Sequence, residues 1–381
     1  MKFLHLADLH LGKTVNEISM IEDQQDMLLK KIVPMAKEQG ADAVLVAGDV
    51  YDKRVPTEAA VELLDDFLAA LAALSVSVFL ISGNHDSDER LNFGSRLFRA
   101  KGIYIAGTYE GEIPHETLMD AHGPVHVWML PFVKSSTVRH FHPEEEIESY
   151  EAAVAAALRH AQIPWEERNV LLAHQFVAGG RDPELAGSEL SAAHVGTVER
   201  VGCAVFDGFD YVALGHIHRP QRMERETLRY AGSPLKYSLR EIGDMKTAPL
   251  VTLGSKGDVQ VELLPLSPLR EMRHIKGPLA ELVNPAHLES PEDYIYATLT
   301  DEGTIPDAMA HLRHAYPNAM KLDYENSHTR ALRRQAILAD MEEKSFEEIL
   351  REFYGQQIGG EPSPEEWGIL MDAAREAGVT G

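Results

Sequence analysis

The sequence predicts an α/β layered fold followed by a smaller α+β unit and a helical end. Three observations carry this. Short runs rich in Val, Ile and Leu alternate with helical apolar patterns, the signature of strands and helices packed in layers. Each run stops at a cluster of polar, titratable residues. After about Leu266 the rhythm changes to a compact strand and helix alternation. Residues 1–268 are therefore read as the large domain, 269–330 as the smaller one and 331–381 as a C-terminal helical segment.

The runs follow in order. KFLHLA opens the chain, and a helical pattern through Met27, Leu28, Ile32 and Met35 leads to AVLVAG. A second helical pattern through Val61, Leu64, Phe67, Leu68 and Leu71 leads to SVFLIS; VHVWMLPF, NVLLA and YVALG come later. Continuous apolar runs bounded by turn residues suit strands buried on both faces. Beyond Leu266, PLREMRHIKGPLAELV, DYIYATLT and IPDAMAHLRHAYPNAMKLDYEN read as strand, helix, strand, helix, strand. In the tail, Phe346, Ile349, Leu350 and Phe353 are spaced i, i+3, i+4, i+7 and form one apolar stripe. Ser363, Pro364 and Glu366 make a capping box for a last short helix, with Trp367, Leu370 and Met371 on one side of it.

Composition narrows the class. Apolar residues are 44% and charged residues 25%, near the average for globular proteins. No stretch approaches the ~20 apolar residues of a membrane span, and the start of the chain does not resemble a secretion signal. The single Cys203 excludes an internal disulfide framework and fits a reducing, cytoplasmic setting as a small core residue. The net charge of −24 disfavours nonspecific nucleic-acid binding unless positive charge is local. Local charge exists at Arg90, Arg96, Arg99 and Lys101, and again from Arg219 to Lys246. Taken alone, both clusters read as ordinary solvated faces.

The chemistry sits at the ends of the runs: Asp8-x-His10, Gly48-Asp49-Val50-Tyr51-Asp52, Gly83-Asn84-His85-Asp86, Ala173-His174 and Gly215-His216-Ile217-His218. In open α/β sheets ligands collect outside the carboxyl ends of strands, so five distant segments can converge. Gly48, Gly83 and Gly215 are expected to turn the backbone sharply ahead of each group. Asp8 with His10, and His216 with His218, are two apart, which in extended backbone places each pair on one face. Imidazole, carboxylate and one amide, with no thiolate, suit Mn²⁺, Fe²⁺ or Zn²⁺. The donors exceed what one ion can hold; two ions about 3.5–4 Å apart, bridged by a carboxylate, accommodate them. His5 lies three residues before Asp8, on the opposite face, and reads as structural.

This ordered set of ADLHLG, GDVYD, GNHD, AHQ and GHIH resembles the calcineurin-like metallophosphoesterase superfamily. DLHLGK, GDVYDKRVP, GNHDS, GHIHRPQ and AGSPLKYS look closer still to the SbcD-type nuclease subunits of bacterial SbcCD complexes. The resemblance implies a sandwich of two sheets flanked by helices, with residues 269–330 as a capping domain. It implies one divalent ion, Mn²⁺ foremost, on Asp8, His10, Asp49 and His218, and a second on Asp49, Asn84, His174 and His216. His85 becomes the general acid, with Asp86 either orienting it or capping a turn. Family likeness raises Arg219, Arg222 and Lys236 to candidate DNA contacts and the tail stripe to a candidate contact for an SbcC-like ATPase. It also implies a homodimer, through helices near the first ligands, within a heterotetramer. The implied activity is 3′–5′ exonuclease on duplex DNA and endonuclease on single strands and hairpins. A diesterase for small phosphodiesters or nucleotides is the alternative.

Overall fold

The computed structural model describes residues 1–186, 200–327, 329, 350–351, 354 and 362–376. Twelve strands form two six-stranded sheets: β1 (Lys2–Leu6), β2 (Ala43–Ala47), β3 (Ser77–Ile81), β4 (Ile103–Ala106), β5 (His115–Asp120), β6 (Gly123–Leu130), β7 (Arg168–His174), β8 (Tyr211–Gly215), β9 (Gln221–Met223), β10 (Arg225–Tyr230), β11 (Thr247–Leu253) and β12 (Val259–Pro265). The first sheet is ordered β12-β11-β1-β2-β3-β4 and the second β9-β10-β8-β7-β6-β5. The central strands are parallel, and every margin except β4 is antiparallel, so β1, β2, β3, β7 and β8 all deliver their carboxyl ends to the same edge of their sheets. That is the rim on which the polar clusters of the sequence fall.

Side-chain alternation explains why the two sheets close on each other. In β7, Val170 and Leu172 point into a core shared with Phe3, Leu45, Phe79, Val127, Tyr211 and Val251. Leu171 and Ala173 point the other way, into a second core with Leu130, Val212, Leu214 and Ala153, Val154 and Ala157 of the helix Tyr150–His160. A strand buried on both faces needs apolar residues at every position, which is why these strands read as continuous runs. Burying a Phe or Leu fully contributes about 1.5–3 kcal/mol, so either face alone outweighs the loss of any one backbone hydrogen bond.

Local signals set the helices. Thr57 caps Glu58–Ala73, its hydroxyl accepting from Ala60 N–H, and Ser149 does the same for Tyr150–His160 through Ala152 N–H. The buried stripe of Glu58–Ala73 is Ala60, Leu63, Leu64, Phe67, Leu68 and Leu71. Val61, expected inside, is 46% exposed, because it sits one residue, about 100° of arc, past the inward Ala60. The helical pattern through Met27 and Ile32 is real but irregular: Ile21–Gln25, a widened π stretch Asp26–Ile32, then Val33–Glu38. Cys203 is buried. Among the described residues no helix is long and apolar enough to cross a membrane.

The chain divides into two compact units, Met1–His274 with Glu292–Tyr296, and Ile275–Pro291 with Ala297–Gly381. Three further strands, β13 (Met272–Gly277), β14 (Tyr294–Leu299) and β15 (Ala319–Tyr324), form a sheet ordered β13-β14-β15, with the helix Ala308–Ala315 between the last two in sequence. The final helix, Pro364–Glu376, opens with the expected capping box: Glu366 accepts from Ser363 N–H at 2.9 Å, and Glu366 N–H donates to Ser363 Oγ at 3.3 Å. Of the apolar tail stripe, Leu350 is half-buried; Phe346, Ile349 and Phe353 lie outside the described residues.

Candidate metal centre

All seven candidate ligands lie in the first unit and come together on the strand rim. Asp8 and His10 follow β1, Asp49 follows β2, Asn84 follows β3, His174 ends β7, and His216 and His218 follow β8. Asp8, His10, Asp49, His174 and His218 are buried, whereas Asn84 is exposed and His216 half-buried. The cluster thus has a dry floor and one open side, where His85 is also exposed.

The backbone reaches this arrangement by strain rather than by extension. Asp8, His10, Asp49 and His216 have φ of 53°, 43°, 47° and 100°, so the D-x-H and H-x-H pairs converge through left-handed residues, not through strand alternation. Each non-glycine residue there costs of order 1–2 kcal/mol. Hydrogen bonds hold the first two loops against it: Asp8 N–H to Gly48 O at 3.1 Å, His10 N–H to Asp49 O at 2.9 Å and Leu11 N–H to Val50 O at 2.9 Å. His216 N–H donates to Asp8 Oδ1 at 2.9 Å, tying the last loop to the first.

The three glycines divide by role. Only Gly48, at φ +87°, needs left-handed freedom. Gly83 and Gly215 are there for closeness: a Cβ on Gly83 would lie 2.1 Å from Asp49 Oδ1, and one on Gly215 1.9 Å from Ala47 O.

Atom by atom, the donors separate into two groups around one oxygen. His10 Nε2 and His218 Nε2 face each other at 3.0 Å, and His10 Nε2 is 3.5 Å from Asp49 Oδ2. On the other side, His174 Nε2 is 3.4 Å from the same Oδ2 and 3.1 Å from Asn84 Oδ1, which is also 3.0 Å from His216 Nδ1. Asp49 Oδ1 is occupied elsewhere, accepting from His85 N–H at 2.9 Å. Asp8 Oδ2 is buried with no hydrogen-bond partner. Asp8, His10 and His218 form one set of mutually close ligand atoms, and Asp8, Asp49 and His174 another.

This chemistry fits divalent ions. His174 Nδ1 bonds Ala47 O at 2.8 Å, and a carbonyl only accepts, so Nδ1 carries the proton and Nε2 is the atom presented to Asp49 and Asn84. Acceptors facing acceptors in a buried space require a cation between them. Without metal a proton takes that place: burial opposes a charged His174, yet the Asp49 carboxylate raises it to about 9. Burial and the nearby Asp49 charge push the Asp8 carboxyl up, to about 6, against the neighbouring imidazoles.

Other candidates are placed differently from the sequence reading. Asp86 does not orient His85: its carboxylate accepts from Val50 N–H (3.1 Å), Tyr51 N–H (2.9 Å) and Gly83 N–H (2.8 Å), the turn-capping alternative. Those three donors fix the carboxylate against the backbone, and His85 Nδ1 instead bonds Asp52 O at 3.1 Å. Arg219 is paired with Asp244 and Glu184, Arg222 with Glu226, and Lys236 with Glu271. Much of that basic segment is the β9-β10 hairpin, and its charge is largely answered within the chain. His5 bonds Tyr211 Oη at 2.9 Å inside the sandwich.

Five supporting residues were given no role in the sequence reading. Gln24 Nε2 donates to His10 O at 2.8 Å and Tyr237 Oη donates to Leu9 O at 2.5 Å, fixing the first loop from behind. Glu241, fully buried, has Oε1 3.7 Å from His218 Nδ1, while Lys246 Nζ holds its Oε2 at 2.7 Å and His218 O at 2.8 Å. Asp52 acts on His85 through its carbonyl. Asp52 lies within the GDVYD run and Tyr237 within AGSPLKYS, whereas Gln24, Glu241 and Lys246 belong to no quoted motif.

The model of the calcineurin-like phosphoesterase family matches residues 1–220, more than half of the chain. A second, SbcD_C, described as the Type 5 capsule protein repressor C-terminal domain, matches residues 268–357. Among solved structures, a dimetal phosphatase from Danio rerio is similar at 16% identity, over 70% of this chain and 98% of that one, with a TM-score of 0.39. With five rim loops carrying buried His/Asp clusters and both family models matched in sequence order, this chain belongs to the calcineurin-like phosphoesterase superfamily, as an SbcD-like member.

Proposed function

We propose that this protein is a metal-dependent DNA nuclease, the nuclease subunit of an SbcCD-like complex in DNA repair, recombination and replication. In this reading it acts in the cytoplasm as a 3′–5′ exonuclease on duplex ends and an endonuclease on single strands and hairpins. The observation that carries the hydrolytic part is Asp49 Oδ2, 3.5 Å from His10 Nε2 and 3.4 Å from His174 Nε2, a bridging position between two donor groups. One ion is assigned to Asp8, His10, Asp49 and His218, the other to Asp49, Asn84, His174 and His216, with Mn²⁺ as the first choice. Such a pair, when bound, neutralises phosphate charge and acidifies water toward neutral pH.

The chain's own groups complete the chemistry. His85 is exposed at the open side, and its Nδ1–H is committed to Asp52 O. Nε2 is therefore the atom left for substrate; protonated, it can donate to the departing oxygen, a contribution of about 10²- to 10⁴-fold. Asp86 keeps the Asp49 and Asn84 loops in register by gathering three backbone N–H groups.

DNA is favoured over small diesters by the SbcD_C match beyond the phosphoesterase region. Because Arg219, Arg222 and Lys236 are already paired, their contact with a DNA backbone exchanges one anion for another and is a weak, salt-sensitive contribution. The homodimer is supported by exposed Val61 (46%) and Leu97 (79%), on helices that follow the Asp49 and Asn84 loops, and by Phe93 (83%) in the turn just before the second of them. The tail helices are assigned to the ATPase partner. The test is hydrolysis by the purified chain with Mn²⁺ of end-labelled duplex and hairpin DNA beside a bis-aryl phosphate. Cleavage of DNA supports the assignment; turnover of the small diester alone replaces it with the alternative substrate class.

A further inference from the structure

The loop that carries Asp8 and His10 is tied to a remote part of the chain. Strands β13 and β14 each lie partly in the first unit and run on into the second, so Arg270, Glu271 and Tyr294 stand where the chain crosses between the units, themselves within the first. Tyr294 N–H donates to Glu271 O at 2.8 Å, which joins the two passes of the chain.

Two consecutive residues of the crossing each hold one residue of the large domain. Arg270 donates to Asp23 twice, from Nη1 to Oδ2 at 2.6 Å and from its backbone N–H to Oδ1 at 3.2 Å, and Tyr294 Oη adds a third bond to Oδ2 at 2.6 Å. Asp23 is buried, so its charge depends on those donors. Glu271 Oε1 accepts from Lys236 Nζ at 2.6 Å, and Lys236 Nζ also donates to Ile242 O at 2.9 Å. The next residue along from each held one reaches the metal loop. Gln24 donates to His10 O and accepts from Gly12 N–H at 2.9 Å, while Tyr237 donates to Leu9 O. Gln24 Nε2 and Tyr237 Oη are themselves bonded at 3.0 Å. The two arms therefore close into a ring, with Arg270 and Glu271 at one end and the Leu9–Gly12 backbone at the other.

We propose that Asp23 and Lys236 are positioning residues for the ion held by Asp8, His10 and His218, and that through them this ion is coupled to the crossing between the units. The inference rests on the two-ion reading of the rim. Asp8 and His10 sit in left-handed backbone that neighbouring groups must hold in place, and the ring sets where two of those groups, Gln24 and Tyr237, stand. Such coupling is reciprocal: loosening the crossing weakens the ion, and the ion tightens the crossing by the same free energy. Asn84, His174 and His216 are on other loops, so the second ion is affected less.

The test is Mn²⁺ titration of the full chain and of Arg270→Gln and Glu271→Ala, with anomalous diffraction at subsaturating Mn²⁺ to show which ion is lost. Both variants are expected to bind the Asp8, His10 and His218 ion at least about tenfold more weakly, with the second ion changed less. Lys256→Ala is the control for a merely structural loss, since it breaks an ion pair to buried Asp210 at the other end of β8, and it should keep both affinities. In the parent, Mn²⁺ should slow hydrogen exchange of the Arg270 amide, which donates to Asp23, and leave the Gly257 amide, which donates to Asp210, unchanged. Parent affinities in both variants overturn the proposal, as does an Arg270 amide indifferent to Mn²⁺. Glu271 is 42% exposed, so its variant decides the matter should Arg270→Gln fold poorly. A parent that binds two Mn²⁺ ions but cleaves no DNA removes the nuclease reading and leaves this coupling standing; a parent that binds none removes both.

Discussion

Gly215 ends β8 and lies against Ala47, the last residue of β2 in the opposite sheet, beside the metal centre. A methyl group there would meet Ala47 O at 1.9 Å and His174 Nδ1 at 2.7 Å. Neither neighbour is free to yield: Ala47 is in the middle of the rim, and His174 Nδ1 donates to that same carbonyl at 2.8 Å. Gly215→Ala should therefore cost about 1–3 kcal/mol in overpacking and, with the His174 anchor broken, a further ~1–3 kcal/mol for a buried donor left unpaired. Against a total stability of roughly 5–15 kcal/mol this lowers the urea midpoint visibly. Because His174 loses its orientation, Mn²⁺ affinity should fall as well, and hydrolysis by about 10²-fold, as expected of a displacement near 1 Å. Gly243→Ala is the control, since its Cβ would meet nothing within 4 Å; it should stay within about 0.5 kcal/mol of the parent. A Gly215→Ala protein with the parent's urea midpoint and full Mn²⁺ affinity would refute the idea that close approach, not turning, selects glycine here.

Three further outcomes are expected. His85→Gln should reduce DNA hydrolysis by about 10²- to 10⁴-fold while leaving the Mn²⁺ count unchanged, and the loss should shrink on a substrate whose leaving group needs no proton; a uniform loss on both substrates contradicts the acid role. Glu241→Gln should weaken Mn²⁺ binding by about 10- to 100-fold, because the carboxylate behind His218 makes that imidazole a better donor; equal affinity by titration would make Glu241 a mere partner of Lys246. His5 is buried, and burial lowers it to about 3 from an ordinary value of 6.5. The unfolded chain therefore binds a proton that the folded one refuses between those values, so stability should fall as pH drops from about 6.5 toward 3, by up to about 1.4 kcal/mol per unit. Metal-free His5→Gln should show a shallower decline in urea midpoint over that window, and an identical slope would remove His5 from the account.

The parallel strands could be read from the chain because burial on both faces leaves an unbroken apolar run, as in Ala43–Ala47 and Tyr211–Gly215. Marginal strands such as β5 and β12 escaped, since they are largely exposed and their polar residues (HETLMD, VQVELLP) break up any apolar run. The candidate ligands were legible for a related reason: each follows a run, and the ends of parallel strands share one edge. Their local geometry was not. Nothing in D-x-H says that Asp8 and His10 adopt positive φ, because that conformation is imposed by bonds to Gly48 and Asp49, some forty residues away. Gln24, Tyr237 and Glu241 were hidden as well, because their partners are fixed only once the loops meet. Arg219, Arg222 and Lys236 look basic in the sequence, and only the fold brings their carboxylates to them.

The most direct measurement is Mn²⁺ anomalous diffraction from crystals of the full chain. The account predicts two peaks in the rim cluster, about 3.5–4 Å apart. One should contact Asp8, His10 and His218, the other Asn84, His174 and His216, with Asp49 Oδ2 shared. A single peak, or two ions with Asp49 touching only one of them, would contradict it.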